Sequence, residues 1–322
     1  MTQIGFVARN NLQGYYMHFF LQRLVATMEE PVTINPIFVP KGDLNCPEFL
    51  KAIREYEIVF AVGLPFWENE RSSINEVPKQ TLKNLRKVYH FATFGQVYED
   101  NDQFVSLVDE VGSPVGNLSH IIPELQEILG LPAKGVDEFY NNHMRMIKLV
   151  DGYNRYELEE AGEDGLSTLN LLDLGMLYGE DLHRELLGLD SEQEIAKHTK
   201  TTLIALERNR TQYVRSTAQK AKTRVVKDVV IVFAYAELHT NEVAHLLIDL
   251  YRKFNYKQIL VFMGTHTRGD DMFSIRSYGI HAGNIAKAIN NGKGKENTAT
   301  VFLGNPSVAT FNALVISLSN IL

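Results

Sequence analysis

The sequence predicts an α/β protein in which an N-terminal, mostly parallel β-sheet flanked by helices is joined by a helical connector to a smaller C-terminal α/β domain. The chain has 322 residues, more than one hydrophobic core usually organises. Apolar runs of strand length alternate with helical patterns, which is typical of parallel sheets. A long helical pattern without Pro or Gly separates two such regions. We therefore expect domains at 1–190 and 225–322 and a connector at 191–224.

Strands and helices alternate in the N-terminal region. The predicted strands are 4–7, 34–39, 58–62 and 88–91, and the predicted helices start near residue 14 and span 48–56 and 79–86. Parallel sheets bind ligands at the carboxyl ends of their strands. We therefore expect the loops at 9–14, 63–67 and 90–95 to converge on one cleft.

Helical patterns follow at 121–128, 139–150 and 166–187, and then at 191–222 in the connector. In the C-terminal region, apolar runs at 229–234 and 259–263 predict buried strands, and an amphipathic helix lies between them. A third strand is predicted at 298–303. The capping residue and proline of Asn305-Pro306 predict the start of a terminal helix.

Composition indicates a protein of the cytoplasm with no membrane partner. No run of eighteen apolar residues occurs, and the first twenty residues include Arg9, Asn10, Asn11 and Gln13, where a secretion signal needs an apolar stretch. A single cysteine, Cys46, rules out an internal disulfide and a multi-cysteine metal site.

Charge is unevenly distributed along a chain whose net charge is -7. Residues 157–192 carry eleven acidic side chains and one basic side chain, whereas residues 197–227 carry nine basic side chains and one acidic side chain. Solvated helix faces are the commoner explanation of such blocks, and a strip that binds phosphates or nucleic acid is the alternative.

Several common site motifs are absent. The glycine and lysine cluster at 291–295 lacks the GxxxxGK[ST] spacing of a nucleoside triphosphate-binding loop and follows a helix instead of a strand. GxGxxG after a strand, HExxH and GxSxG do not occur either, which argues against dinucleotide-binding, zinc protease and serine hydrolase functions.

One segment of the C-terminal region resembles the associated C-terminal domain of the DHH phosphoesterase family, which reads S-x-R-S, an Ile-Ala pair and then G-G-G-G-H. This chain has Ser274-Ile275-Arg276-Ser277, Ile285-Ala286 and Asn291-Gly292-Lys293-Gly294-Lys295 in the same order. An Arg fork and Ser hydroxyls can bind phosphate, and glycines admit an anion to backbone N–H groups. A surface salt bridge and a glycine-rich turn are the structural alternative. The resemblance implies ligand-binding roles for Ser274, Arg276, Ser277, Gly292, Gly294 and Lys295.

The same resemblance places catalytic motifs at the strand ends of the N-terminal sheet, where this chain has lost most of them. Where the family has H-x-D-x-D-G, the chain reads Arg9-Asn10-Asn11-Leu12-Gln13-Gly14. The strand that should end in Asp ends in Val62-Gly63, and Asp-His-His is replaced by His90-Phe91-Ala92. Asp151 resembles a last surviving aspartate.

The resemblance implies a cofactor of two manganese ions, but the residues argue against it. Two divalent ions about 3.5 to 4 Å apart repel by roughly 17 to 19 kcal/mol at an effective dielectric near 20, so several carboxylates must neutralise them. We therefore expect no metal. His90 and Asp151 remain as weak candidates for a single ion, although a His near an Asp is more often simply hydrogen-bonded.

The sequence thus favours a noncatalytic DHH-like protein that binds a nucleotide, short oligonucleotide or other phosphorylated small molecule, with Arg9 also holding phosphate. The alternative is an active phosphoesterase that cleaves oligonucleotides or dinucleotides at a rearranged site of His90, Asp151 and His143. A structural protein without a small ligand, and a homo-oligomer, are also left open.

Overall fold

The computed structural model describes residues 2–39, 47–66, 82, 84–93, 103–109, 112–155, 157–179, 192–265, 272–290, 292–303 and 308–322. The chain forms two compact units, Met1–Ile204 and Ala205–Leu322. The boundary between the units lies within the long helix that follows residue 191. Within the described ranges, no helix is both long and apolar enough to cross a lipid bilayer.

The described part of the first unit contains the predicted parallel sheet, which has five strands, one more than the sequence predicts. The strands are β1 (Gln3–Arg9), β2 (Thr33–Val39), β3 (Ile58–Val62), β4 (Lys87–Ala92) and β5 (Phe104–Val108). They lie in the order β2-β1-β3-β4-β5, and every neighbouring pair is parallel. Pro36, which cannot donate a hydrogen bond, is tolerated because β2 is an edge strand.

Helix α1 (Leu12–Val25) is the centre of the first unit. Every residue from Leu12 to Leu21 is buried, which is typical of a helix enclosed on all sides. It packs against β1 and against the two helices at Ala133–Arg155 and Thr168–Tyr178, so its first turn is held firmly beside the carboxyl end of β1. The other helices of this unit are α2 (Pro47–Glu55), α3 (Leu118–Leu129), α4 (Ala133–Arg155) and α5 (Thr168–Tyr178), and α6 (Glu192–Gln219) continues into the second unit.

The second unit has a mixed sheet. Its strands are β6 (Lys222–Val226), β7 (Val229–Tyr235), β8 (Gln258–Gly264), β9 (Met272–Tyr278), β10 (Lys293–Gly294) and β11 (Thr298–Phe302), and its helices are α7 (Thr240–Lys253), α8 (Ala282–Asn290) and α9 (Val308–Ile321). The strand order is β10-β11-β9-β8-β7-β6, and only the β7–β8 pair is parallel among the described pairs of this sheet.

The two faces of this sheet bury different helices. Ile231, Phe262 and Ile275 share one core with side chains of α8 and α9. On the opposite face, Val232 and Val261 share a second core with α7. Successive side chains of each strand therefore alternate between two helical layers.

The sequence prediction misses β5, β6, β9 and the short β10. Ser106 interrupts the apolar run of β5, and the alternating polar residues of β6 and β9 hide their strand character. The connecting helix ends at Gln219, three residues before its predicted end, because β-branched residues at 223, 225 and 226 favour the extended β6. Residues 79–81 and 83 of the predicted helix at 79–86, and the predicted helix start at Asn305-Pro306, lie outside the described residues.

Candidate functional site

Arg9 ends β1 and lies beside the end of β3, so two of the predicted loops do meet. A Cβ atom added to Gly63 would lie 3.3 Å from Cγ of Arg9, which places the aliphatic part of Arg9 directly over Gly63. Gly63 itself has a φ of 68° and donates its N–H to the carbonyl oxygen of Phe91 at the end of β4. The ends of β1, β3 and β4 are therefore contiguous.

Gly14 and Asn11 shape the tight turn from β1 into α1. A Cβ atom on Gly14 would overlap the carbonyl oxygen of Arg9, so only glycine fits at this position. Asn11 is the N-cap of α1, and its side-chain oxygen accepts a hydrogen bond from the Gly14 N–H at 3.0 Å. The resemblance described above places a metal ligand at position 11, but here the Asn11 amide oxygen satisfies the helix terminus.

Gln13 holds two further segments together. Its Nε2 donates to the carbonyl oxygen of Val150 at 2.9 Å, and its Oε1 accepts from the Val115 N–H at 3.3 Å. Val150 precedes Asp151, whose carboxylate lies so close to Gly116 that a Cβ there would overlap it. The structure therefore brings the predicted positions Gln13 and Asp151 into one neighbourhood.

His90 is an interior residue of β4 and is 1% exposed. Its Nε2 donates to the carbonyl oxygen of Leu64 at 2.7 Å, so its Nδ1 accepts from the Ser106 hydroxyl at 2.8 Å. The ring also stacks on Phe66. Burial lowers the pKa of His90 to about 4, and the hydrogen bond to Leu64 offsets this only in part. Neither ring nitrogen keeps a lone pair for a metal ion or substrate.

His143 lies in an aromatic cluster of α1 and α4 with Phe19, Phe20 and Phe139. It is 5% exposed, and its Nδ1 has no hydrogen-bond partner among the described residues. Burial, followed by the positive charge of Arg23, lowers its pKa to about 4. These contacts are those of a core histidine and include neither His90 nor Asp151.

The donor set at this edge does not fit a pair of divalent ions. Within the described residues, no three His, Cys, Asp or Glu side chains are close enough together to hold a metal ion. Asn11 and Gln13 contribute no charge and are already hydrogen-bonded within the fold, and Arg9 adds a positive charge. A two-metal site would need carboxylates at these positions to offset the repulsion between the ions.

The predicted residues of β9 divide between the two faces of the second sheet. Phe273, Ile275 and the buried Ser277 alternate with the partly exposed Ser274 and Arg276. The hydroxyl of Ser277 donates to the carbonyl oxygen of Glu296 at 3.1 Å. Ser274 and Arg276 thus share one face, whereas Ser277 stabilises the turn before β11 from the other.

Asn241 contacts Arg276 although it is not among the sequence predictions. Arg276 donates from Nη2 to Asn241 Oδ1 at 2.7 Å and from Nη1 to the carbonyl oxygen of Ile275 at 2.9 Å. Asn241 lies in the first turn of α7, 35 positions away in sequence. No motif connects the two residues in the sequence, so only the packing of α7 on the sheet reveals the pair.

The predicted glycines serve close packing of the chain. A Cβ on Gly294 would overlap Ala299 of β11, and one on Gly292 would lie 2.8 Å from the Cβ of Ala286. The N–H groups of Gly292 and Lys295 donate to the carbonyl oxygens of Ala286 and Thr298. These two amides are therefore occupied in the structure, while the Lys295 side chain is exposed.

The sequence matches no protein-family model and no curated protein sequence, but solved structures match it over nearly its whole length. RecJ of Thermus thermophilus in complex with Mn²⁺ gives a TM-score of 0.60 at 14% identity, with 99% of this chain and 52% of that chain covered. This chain thus spans about half the length of that RecJ.

Two further structural matches cover most of this chain and most of the matched chain. Exonuclease RecJ bound to manganese gives a TM-score of 0.54 at 14% identity, with 99% of this chain and 90% of that chain covered. The pGpG-specific phosphodiesterase PggH of Vibrio cholerae gives a TM-score of 0.54 at 13% identity, with 100% and 99% covered. The chain therefore has the fold of the DHH phosphoesterases, which confirms the predicted fold class.

Proposed function

We propose that this chain binds a nucleotide, a short oligonucleotide or another phosphorylated molecule and does not hydrolyse it. The fold supports the choice of ligand, because the similar structures are described as an exonuclease and as a phosphodiesterase specific for pGpG. Both act on phosphodiesters, so a phosphoryl group is the feature that a shared binding surface would recognise. The proposed binding surface lies in the second unit.

The hydrogen bonds of Gln13 support the proposal that the chain does not hydrolyse its ligand. Gln13 stands where the family resemblance places a metal-binding aspartate, and its uncharged amide joins Val150 and Val115. The position has become part of the scaffold. Because Asn11 is likewise used as the cap of α1, two of the positions that should neutralise metal ions support the fold instead.

Arg276 supports the proposal that the chain binds a phosphoryl group. Its guanidinium group is fixed by Asn241 and lies on a partly exposed strand face. A guanidinium presents several N–H donors in a planar fork and can bind phosphate through two of them at once. Arg9 lies over Gly63 at the edge of the first sheet and provides a separate cation for a phosphoryl group within the first unit.

Isothermal titration of the full chain with pGpG tests this function. The matched variants are Arg276→Ala and Lys253→Ala, because Lys253 is an exposed cation at the end of α7. Charge-assisted hydrogen bonds contribute about 1.5 to 3 kcal/mol, so Arg276→Ala should weaken binding by about 10- to 150-fold, and Lys253→Ala should not. Equal affinities of wild type and Arg276→Ala would show that the proposed site is wrong.

A further inference from the structure

A group of hydrogen-bond donors lies on the face of β9 that carries Arg276. In β11, Ala299 and Val301 belong to the core under α8 and α9, so Thr298 and Thr300 lie on the opposite face. Pairing sets Thr298 beside Arg276, Thr300 beside Ser274, and Lys293 of β10 beside Thr300. Five side chains from three neighbouring strands therefore share one surface, which we call the donor face: Ser274, Arg276, Lys293, Thr298 and Thr300.

The donor face is compact. Neighbouring strands lie about 4.8 Å apart and residues two positions apart along a strand about 6.8 Å, so the face measures roughly 10 Å by 7 Å. Lys293 is exposed and the other four side chains are partly exposed. Val261 and Met263 of β8 lie on the same side of the sheet and are buried under α7. This side of the sheet is therefore apolar and buried at β8 and polar at the donor face.

The chemistry of the donor face suits an anion. Two of its members are cations, three are hydroxyls and none is acidic. Lysine and arginine side chains only donate hydrogen bonds, and hydroxyls can orient to donate. The described residues provide no hydrogen-bond or ion-pair partner for the side chains of Ser274, Lys293, Thr298 or Thr300. A phosphoryl group, which carries negative charge and offers acceptor oxygens, complements such a surface.

Asn241 determines how Arg276 faces this surface. Its Oδ1 accepts from Nη2 at 2.7 Å, so the guanidinium is held from the α7 side while Thr298 flanks it on the β11 side. Fixing one nitrogen of the fork reduces the conformational freedom that would be lost on binding. Asn241 is thus a positioning residue, because it acts through Arg276.

We propose that the donor face binds the phosphoryl group of the ligand through Lys293, Thr298 and Thr300 together with Ser274 and Arg276, and that Asn241 positions Arg276 for this contact. The proposal rests on the proposed function and adds residues that the family resemblance does not name. It assigns no contact with the phosphoryl group to Gly292 and Gly294. Glycine is needed at these two positions because a Cβ atom would overlap Ala286 or Ala299.

Inorganic pyrophosphate is the first probe, because it has phosphoryl groups without base or sugar. Titrations compare wild type with Thr298→Val, Thr300→Val and Lys293→Ala. Thr→Val removes a hydroxyl at nearly constant volume, and Thr211→Val on an exposed position of α6 is the matched control. Each variant of the donor face should weaken pyrophosphate binding by about 3- to 10-fold, and Thr211→Val and Lys253→Ala should leave it unchanged.

A double-mutant cycle tests the positioning role of Asn241. Asn241→Leu should weaken pyrophosphate binding about 5-fold in wild type and have no further effect in the Arg276→Ala background, because coupled residues are not additive. A residue that only stabilised the fold would weaken binding equally in both backgrounds. Equal effects in both backgrounds would therefore overturn the role of Asn241.

The outcomes separate this inference from the proposed function. If Arg276→Ala weakens binding of pGpG and pyrophosphate while Thr298→Val, Thr300→Val and Lys293→Ala bind like wild type, the donor face is wrong and the function stands. If Arg276→Ala binds both normally, the donor face is likewise wrong and the function stands. If wild type binds neither pGpG nor pyrophosphate, both are wrong. Thermal unfolding of each variant identifies any loss of binding that follows from misfolding.

Discussion

Gln13 of α1 and Val150 of α4 are joined by a hydrogen bond of 2.9 Å between Gln13 Nε2 and the Val150 carbonyl oxygen. The same side chain accepts a hydrogen bond from Val115, so one amide ties together three separate stretches of the first unit. Gln13 is 5% exposed. Without this amide, the carbonyl oxygen of Val150 and the N–H of Val115 would stay buried with no hydrogen-bond partner from Gln13. Substitution of Gln13 therefore tests whether these contacts stabilise the fold.

Gln13→Ala is expected to lower the free energy of unfolding by about 2 to 4 kcal/mol, because it leaves two buried backbone groups without partners. Urea unfolding measures the change. Gln212→Ala, at an exposed position of α6, is the matched control and should change stability by less than about 0.5 kcal/mol. Similar effects for the two variants would show that the Gln13 contacts do not stabilise the fold.

Gly14→Ala tests the turn from β1 into α1. The added methyl group would overlap the Arg9 carbonyl oxygen, so the turn must open, and we expect a loss of about 3 kcal/mol or more. Gly130→Ala is the comparison, because Gly130 has a φ of 71° but no atom within 4 Å of the added Cβ. That variant should cost only the backbone strain, about 1 to 2 kcal/mol. The reverse ranking of the two variants would contradict the described turn.

Stability should fall as the pH falls below neutrality, because of His90 and His143. Burial lowers the pKa of both residues to about 4 in the folded chain, whereas a histidine in the unfolded chain has a pKa of about 6.5. Between these values the unfolded chain binds more protons, so the stability present above pH about 6.5 is lost towards pH about 4. From pH about 7.5 to about 5.5 the two residues together should lower stability by about 2 to 3 kcal/mol.

His143→Phe should remove about half of this pH dependence, since a phenyl ring suits the surrounding Phe19, Phe20 and Phe139 and does not titrate. Urea unfolding between pH about 7.5 and about 5.5 measures the slope. Gln212→Ala changes an exposed side chain of α6 that does not titrate and should leave the slope as in wild type. If His143→Phe and wild type have the same slope, His143 is not held neutral by the core.

Pyrophosphate binding should raise the pKa of His245. Burial, and then the positive charge of Arg276, lowers the pKa of this residue, while Asp249 and Glu242 raise it. An anion bound to Arg276 would offset the cation and favour the protonated imidazole. NMR titration of the His245 imidazole protons with and without pyrophosphate measures the shift, and the Arg276→Ala variant, which lacks the proposed anion-binding cation, is the control. An unchanged pKa of His245 would place the anion away from Arg276.

The sequence predicts the first unit well where apolar runs are long and unbroken. Residues 58–62 form β3 within the same bounds, and the parallel sheet follows from the alternation of strands and helices. Short strands with polar residues, such as β6 and β9, escape prediction because their strand character depends on pairing with β7, β8 and β11.

The candidate site is predictable only in part. The resemblance identifies Arg276 and Ser274, and the alternation of Thr298-Ala299-Thr300-Val301 already separates polar from apolar side chains. Ser277 is grouped with Arg276 by its motif but faces the other core, since neighbouring residues of a strand point in opposite directions. The contact between Asn241 and Arg276 depends on tertiary packing and leaves no local pattern.

The proposed function combines a DHH phosphoesterase fold with the binding of a phosphorylated ligand and no metal-dependent hydrolysis. Incubation of pGpG with the protein in MnCl₂ and in EDTA, followed by chromatography of the nucleotides and titration of binding, tests both properties together. We expect intact pGpG in both conditions and the same affinity in both. Mn²⁺-dependent turnover that is abolished by EDTA and by Asp151→Ala would contradict the proposed function.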